Sequence, residues 1–82
     1  MYEIFFTQTA NEQLKNLSEN MRNEIGMALE RVRIRPFKFV KRLVNSAYYR
    51  LRVGSYRVIL DIQSTALIIL VVKIGHRGGI YK

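Results

Sequence analysis

The 82-residue sequence predicts an α+β domain: two antiparallel N-terminal helices packed on a mainly antiparallel, roughly four-stranded twisted sheet. Three observations carry that reading. Apolar residues recur at helical spacing up to Pro36, the only proline. From Tyr48 onward most of the apolar residues are β-branched or aromatic, and they come in runs the length of strands. Gly54-Ser55 interrupts those runs as a two-residue loop of the kind that favours a type II′ turn, glycine first.

The elements follow in order. Tyr2-Glu3-Ile4-Phe5-Phe6 is aromatic and β-branched, and reads as a short strand. Thr7 or Thr9 can cap a helix on which Ala10, Leu14 and Leu17 share one side. Ser18 can cap a second helix, with Met21, Ile25, Leu29 and Val32 on its buried stripe. That helix should end before Pro36, because the residue preceding proline is pushed out of the helical region. Arg31, Arg33 and Arg35 crowd its C-terminal end, where cations complement the helix dipole by roughly 0.3–1 kcal/mol each. Residues 36–47 read as a connecting loop, with Leu43 and Val44 docked on the domain. Its basic residues Lys38, Lys41 and Arg42 form either a solvated surface or a rim that tracks a nucleic-acid backbone.

The hairpin that follows organises the rest. A Gly54-Ser55 loop sets Val53 opposite Tyr56, Arg52 opposite Arg57 and Leu51 opposite Val58. Alternation along each strand then gathers Arg50, Arg52 and Arg57 on one face. Tyr49, Leu51, Val53, Tyr56 and Val58 fall on the other face, as a core. Like charges directly opposite each other destabilise a strand pair, so three arginines kept together imply a use, and the natural target is phosphate. The second strand runs to about Ile62, Gln63-Ser64-Thr65 supplies a turn, and Leu67 to Ile74 forms a central strand covered on both faces. With Ser64-Thr65 as the turn, Val72 lies opposite Arg57, Ile74 extends the arginine face, and His76-Arg77 leave the strand end close to it.

Composition bounds the function. The length is that of one domain spanning 1–82, with one modest core. The chain has no cysteine, so disulfides and thiolate zinc sites are unavailable, which fits a reducing cytoplasm. Glu3 interrupts the N-terminal apolar run, so no signal peptide is expected, and the apolar run Ala66 to Val72 is too short to span a membrane. Of the net charge of +8, residues 1–30 carry −3 and residues 31–82 carry +11. Segregation this strong points to a polyanionic or acidic partner, whether nucleic acid, anionic membrane or protein.

One histidine, no cysteine and a single carboxylate after residue 30 make a poor set of metal ligands, and no glycine-rich phosphate loop is present. Neither metal nor cofactor is called for. What remains is Arg50, Arg52, Arg57 and Arg77 beside His76 and several tyrosines. Guanidinium groups fork onto phosphate oxygens, and tyrosines stack on bases or offer a hydroxyl. Such a set can bind a phosphodiester and stabilise the charge that builds on it during cleavage. Without a metal the 2′-OH attacks its own phosphate, so the substrate would be RNA. Of these side-chain types only histidine ordinarily titrates near neutrality, which leaves the cluster a weak nuclease unless its substrate is placed for it.

The run Tyr49-Arg50-Leu51-Arg52-Val53-Gly54-Ser55-Tyr56-Arg57-Val58-Ile59, followed by Ile74-Gly75-His76-Arg77 and Ile80-Tyr81, resembles the RelE/ParE toxin superfamily, its archaeal RelE-type mRNA interferases above all. The resemblance covers nearly the whole chain and implies a RelE-like fold. It further implies the toxin of a type II toxin–antitoxin system, a ribosome-dependent endoribonuclease that cuts mRNA in the A site and inhibits translation. By match of position, Arg50 and Arg52 would hold the mRNA backbone and Arg57 would stabilise the phosphate in the transition state. Arg77 would aid the leaving 5′-oxygen and Tyr81 would act on the 2′-OH. Arg52 counts with Arg57, Arg77 and Tyr81 in the catalytic set, and Arg50, Arg52, His76, Lys41 and Arg42 in the substrate-binding set.

Gly78-Gly79 stands where relatives carry polar or charged residues, which keeps a catalytically attenuated, RNA-binding homologue as one alternative. The ParE branch is the other: it shares the fold and implies inhibition of DNA gyrase without RNA cleavage. The implied partners are a RelB-like acidic antitoxin in a hetero-oligomer, the ribosome and mRNA, with no membrane. A strongly basic C-terminal two-thirds beside an apolar sheet invites a wrapping acidic partner of that kind.

Overall fold

The computed structural model describes residues 1–76. Their elements run β1 (Glu3–Phe6), α1 (Gln8–Lys15), α2 (Glu19–Ile34), β2 (Lys41–Arg42), β3 (Tyr49–Val53), β4 (Tyr56–Gln63) and β5 (Ile68–His76). The five strands form one sheet in the order β1-β5-β4-β3-β2. All neighbours are antiparallel except β1 and β5, which the two intervening helices and the hairpins make parallel.

Both helices begin where a hydroxyl can cap them. Thr7 Oγ1 accepts from the Ala10 N–H at 3.0 Å and Ser18 Oγ from the Met21 N–H at 3.2 Å, so each satisfies an amide that helix geometry leaves orphaned. Helix α2 closes at Ile34, with Arg35 as its C-cap, before Pro36. Its stripe of Ile25, Ala28, Leu29 and Val32 meets the sheet residues Leu51, Val53, Val58, Leu60, Ile69, Val71 and Ile74, and these make the core. Ile25, Val32, Val58, Leu60, Ile69 and Val71 are wholly enclosed. Full burial of such a side chain is worth about 1.5–3 kcal/mol.

The β3–β4 hairpin has the expected register: Leu51 faces Val58, Arg52 faces Arg57 and Val53 faces Tyr56. Gly54 sits at φ +60° and Ser55 is not left-handed, which is the type II′ arrangement. A Cβ at Gly54 would be strained by that φ and would also meet the Met21 Cε at 3.5 Å.

Three expectations are corrected. The sheet has five strands, not four, because Lys41 and Arg42 pair with Arg50 and Tyr49 inside the stretch read as loop. Two residues are too few to show alternation, so nothing in the sequence marks them as a strand. Val44 does not dock on the domain but stands 88% exposed at the tip of the turn that follows β2, while Leu43 is half-buried.

The third correction concerns β5. The connection from β4 takes the four residues Ser64 to Leu67, with Leu67 at φ +56°, and a bulge follows in which Leu60 pairs with Val71 but Ile59 pairs with Lys73. The extra residue, Val72, flips every later side chain to the opposite face. Gly75, not Val72, therefore faces Arg57, and Ile74 joins the core opposite Val58.

Beyond Phe6 the edge of β5 has no strand partner, and α1 supplies side chains instead. Thr7 Oγ1 donates to the Val72 carbonyl at 2.7 Å, and the Ile74 N–H donates to Gln13 Oε1 at 2.6 Å. The bulge and the strand after it are thus held from the helix side.

Leu60→Ala should lower unfolding free energy by about 2–5 kcal/mol, because it opens a cavity in a fully enclosed position. Urea denaturation followed by far-UV circular dichroism would measure it, and a loss under about 1 kcal/mol would contradict the packing described.

Candidate nucleic-acid interface

The cationic face is a consequence of the hairpin. Leu51, Val53 and Val58 are held in the core, so alternation turns Arg50, Arg52 and Arg57 to the other side of the sheet. Lys41, paired with Arg50, extends that face onto β2. The side chains differ in setting. Arg52 and Lys41 are exposed, Arg50 and Arg57 half-buried, and the Arg57 Nε is closed off from solvent. Opposite Arg57 stands Gly75, which brings no side chain to the pair.

Ile59 completes the floor. It lies on this outer face, between Arg50 and Lys73 in register, yet is only 4% exposed. Its register partners Arg50 and Lys73 are long basic side chains, of the kind whose methylenes can lie over apolar surface while the charged heads stay wet. The sequence reading did not count Ile59, because apolar residues in β4 serve both faces.

Two clefts flank Arg50. One of about 240 Å³ is lined by Phe39, Lys41, Arg50 and Arg52. The other, of about 500 Å³, is lined by Arg42, Leu43, Val44, Ser46, Arg50 and Arg57. Arg42 reaches this second cleft but also has structural work. Its Nε donates to the Ser46 carbonyl at 3.2 Å, and its guanidinium lies 5.7 Å from the Tyr49 ring centre. Tyr49 itself packs edge-on against Phe37, with ring centres 5.5 Å apart, on the face opposite Arg50, Arg52 and Arg57.

His76 is not beside the arginine face as expected. It pairs with Tyr56, whose ring packs toward the core, and the two rings meet edge to face at 5.0 Å. Its Nε2 lies 3.5 Å from the Ser55 hydroxyl. The cause is the bulge at Val72, which reverses the side of each residue after it. Arg77 and Tyr81, together with Gly78-Gly79, lie outside the described residues. Of the arginines at the end of α2, Arg33 is tied to Glu30 at 2.8 Å. Among the described residues no three His, Cys, Asp or Glu side chains group closely enough to hold a metal ion. No described helix is long and apolar enough to cross a membrane.

A five-stranded sheet backed by two helices, with its cations gathered on the face away from them, defines a known class. The model of the family described as the ParE toxin of type II toxin–antitoxin systems, parDE, matches residues 4–81. The chain belongs to this family, within the RelE/ParE toxin superfamily, and is the toxin of a type II toxin–antitoxin system.

Solved structures agree on the fold. A chain of the intact E. coli RelBE toxin–antitoxin complex superposes with a TM-score of 0.84 at 19% identity, over 93% of this chain and 96% of that one. For the archaeal RelE–RelB complex of Pyrococcus horikoshii OT3 the TM-score is 0.81 at 24% identity, over 95% and 97%. The RelB–RelE complex of Methanococcus jannaschii gives 0.75 at 26% identity, over 94% of each chain. A comparison with curated proteins gave no significant match.

Arg50→Ala should weaken binding of single-stranded RNA and flatten its dependence on salt. One phosphate contact fewer lowers the slope of log K against log salt by about 0.7. Fluorescence anisotropy across a salt series would read it, and an unchanged slope would remove Arg50 from the interface.

Proposed function

We propose that this toxin is an mRNA interferase, a ribosome-dependent endoribonuclease that cuts mRNA in the A site by metal-free attack of the 2′-OH. The observation that carries the reading is the cationic set Lys41, Arg50, Arg52 and Arg57 on one sheet face, with Arg57 half-buried opposite a glycine. Arg52 stands directly opposite Arg57, and like-charged partners across strands oppose pairing, so an anion laid along this face favours the pair. An RNA backbone neutralises both.

In the proposed step the 2′-oxygen attacks the adjacent phosphorus while losing its proton, and the bond to the 5′-oxygen breaks. The products are a 2′,3′-cyclic phosphate and a 5′-hydroxyl that has taken up a proton. Negative charge grows on the non-bridging oxygens as the fifth bond forms. Arg57 meets that charge with a permanent cation, partly shielded from water, where electrostatic stabilisation is strongest. Arg50, Arg52 and Lys41 hold flanking phosphates, and Arg42 adds to that rim. Arg77 and Tyr81 take the roles that the superfamily resemblance implies, at the 5′-oxygen and the 2′-OH. His76 pairs with Tyr56 and is set apart from the arginine face. The ribosome supplies the substrate placement that a cluster without a strong base needs.

The antitoxin is of the acidic, RelB-like kind, in a cytoplasmic hetero-oligomer. Met27 and Ile34 stand exposed seven residues apart, on one side of α2, with Phe37 and Phe39 exposed just after it. Apolar anchors among arginines suit an amphipathic acidic segment. The family match to ParE toxins favours one second reading, inhibition of DNA gyrase without RNA cleavage.

Purified toxin, with and without programmed ribosomes, separates these readings by primer extension on mRNA and a supercoiling assay. Cuts inside A-site codons that need ribosomes are expected. Arg57→Ala should slow them roughly 10²–10³-fold, the usual effect of losing one group that stabilises developing charge, with ribosome binding retained. Absence of cuts together with blocked supercoiling would establish the gyrase reading instead.

A further inference from the structure

The turn between β2 and β3 is built to hold an apolar side chain out in solvent. The Leu43 N–H donates to the Tyr48 carbonyl at 3.0 Å, and the Tyr48 N–H to the Ser46 hydroxyl at 3.0 Å. Arg42 Nε closes the same turn on the Ser46 carbonyl, and Asn45 takes φ +55°, a conformation asparagine tolerates. Val44 at the tip is 88% exposed, more than any other large apolar residue described. A solvated loop has no need of a β-branched apolar residue there, still less of so many bonds to fix it.

What Val44 overlooks is the cleft of about 500 Å³ whose other lining residues include Arg50 and Arg57. That volume falls within the roughly 300–1,000 Å³ of small-molecule sites, and leaves room for a single nucleoside. Its chemistry is divided in the same way as a nucleotide. Leu43 and Val44 form an aliphatic wall for the flat face of a base, and three arginines, Arg42, Arg50 and Arg57, line the cleft where a phosphate would lie. An RNA strand with one phosphate on Arg57 has its neighbouring nucleoside within reach of this wall, so the two contacts fit one strand.

We propose that the Leu43–Val44 turn is a nucleoside subsite beside the phosphate held at Arg57, and that it contributes to the choice of where RNA is cut. This rests on the interferase reading but is tested apart from cleavage. The probe is a short single-stranded RNA carrying 2′-O-methyl groups, which has no free 2′-OH and so cannot be cut by this route. Val44→Ser should bind it about fivefold more weakly than the parent, which corresponds to roughly 1 kcal/mol, with the salt slope unchanged because no phosphate contact is lost.

Amide signals of residues 43–46 should move on titration of the parent with this RNA. Since Val44 is almost wholly exposed, Val44→Ser should keep the parent's thermal midpoint, which separates lost binding from lost fold. Equal affinities of Val44→Ser and the parent would overturn the proposal, as would failure of the parent to bind. So would a Val44→Ser variant that loses affinity only for an acidic, apolar peptide, since the turn would then be an antitoxin contact. Failure of cleavage on ribosomes with the subsite binding intact would count against the interferase reading alone.

Discussion

Everything distinctive about this toxin depends on one strand pairing, Tyr49–Val53 against Tyr56–Gln63, turned by Gly54 at φ +60°. The core pulls Leu51, Val53, Val58 and Leu60 to the helices, and the period of two leaves no choice about the arginines. A slip of one residue would bury Arg50, Arg52 and Arg57 and expose the core, at a cost far above the repulsion between Arg52 and Arg57. Burial thus enforces a cationic face that strand pairing by itself disfavours. Of the three guanidinium-bearing side chains only Arg52 is exposed, while Arg50 and Arg57 are half-buried on the same face as the buried Ile59.

A second constraint acts from the other end of the sheet. The bulge at Val72 brings Gly75 opposite Arg57 and moves His76 to the helix side. It survives at a strand edge because Thr7 and Gln13 of the first helix satisfy the backbone that β1 is too short to reach. The first helix is therefore more than a cover for the core. It holds in place the strand that passes the arginine face and leads on to Arg77.

Cation placement and apolar exposure together divide the surface. Arg50 lies between two clefts, one basic and one walled by Leu43 and Val44, which suits a ligand with charge along its length and flat apolar groups beside it. The exposed Met27, Ile34, Phe37 and Phe39 lie along and just after α2; none of them lines that second cleft, and Phe39 lines the first. On the function proposed, a substrate and an antitoxin would share Phe39 and Arg52, and Arg52 lines clefts on both sides of the β3 edge.

The amino-acid sequence by itself determined the helix caps at Thr7 and Ser18, the stop before Pro36, the hairpin register and the shared face of Arg50, Arg52 and Arg57. Each follows from local chemistry: a hydroxyl before a helix, a proline after one, a glycine in a tight turn, and alternation on either side of it. Only tertiary structure decided the rest. Lys41 and Arg42 become a strand because Arg50 and Tyr49 offer them an edge, and two residues carry no period of their own. Val72 becomes a bulge because Thr7 and Gln13, more than fifty residues away in sequence, hold the strand there. The side on which His76 falls and the residue that faces Arg57 depend on that single insertion, since one extra residue inverts a two-residue period without altering the composition on either side of it.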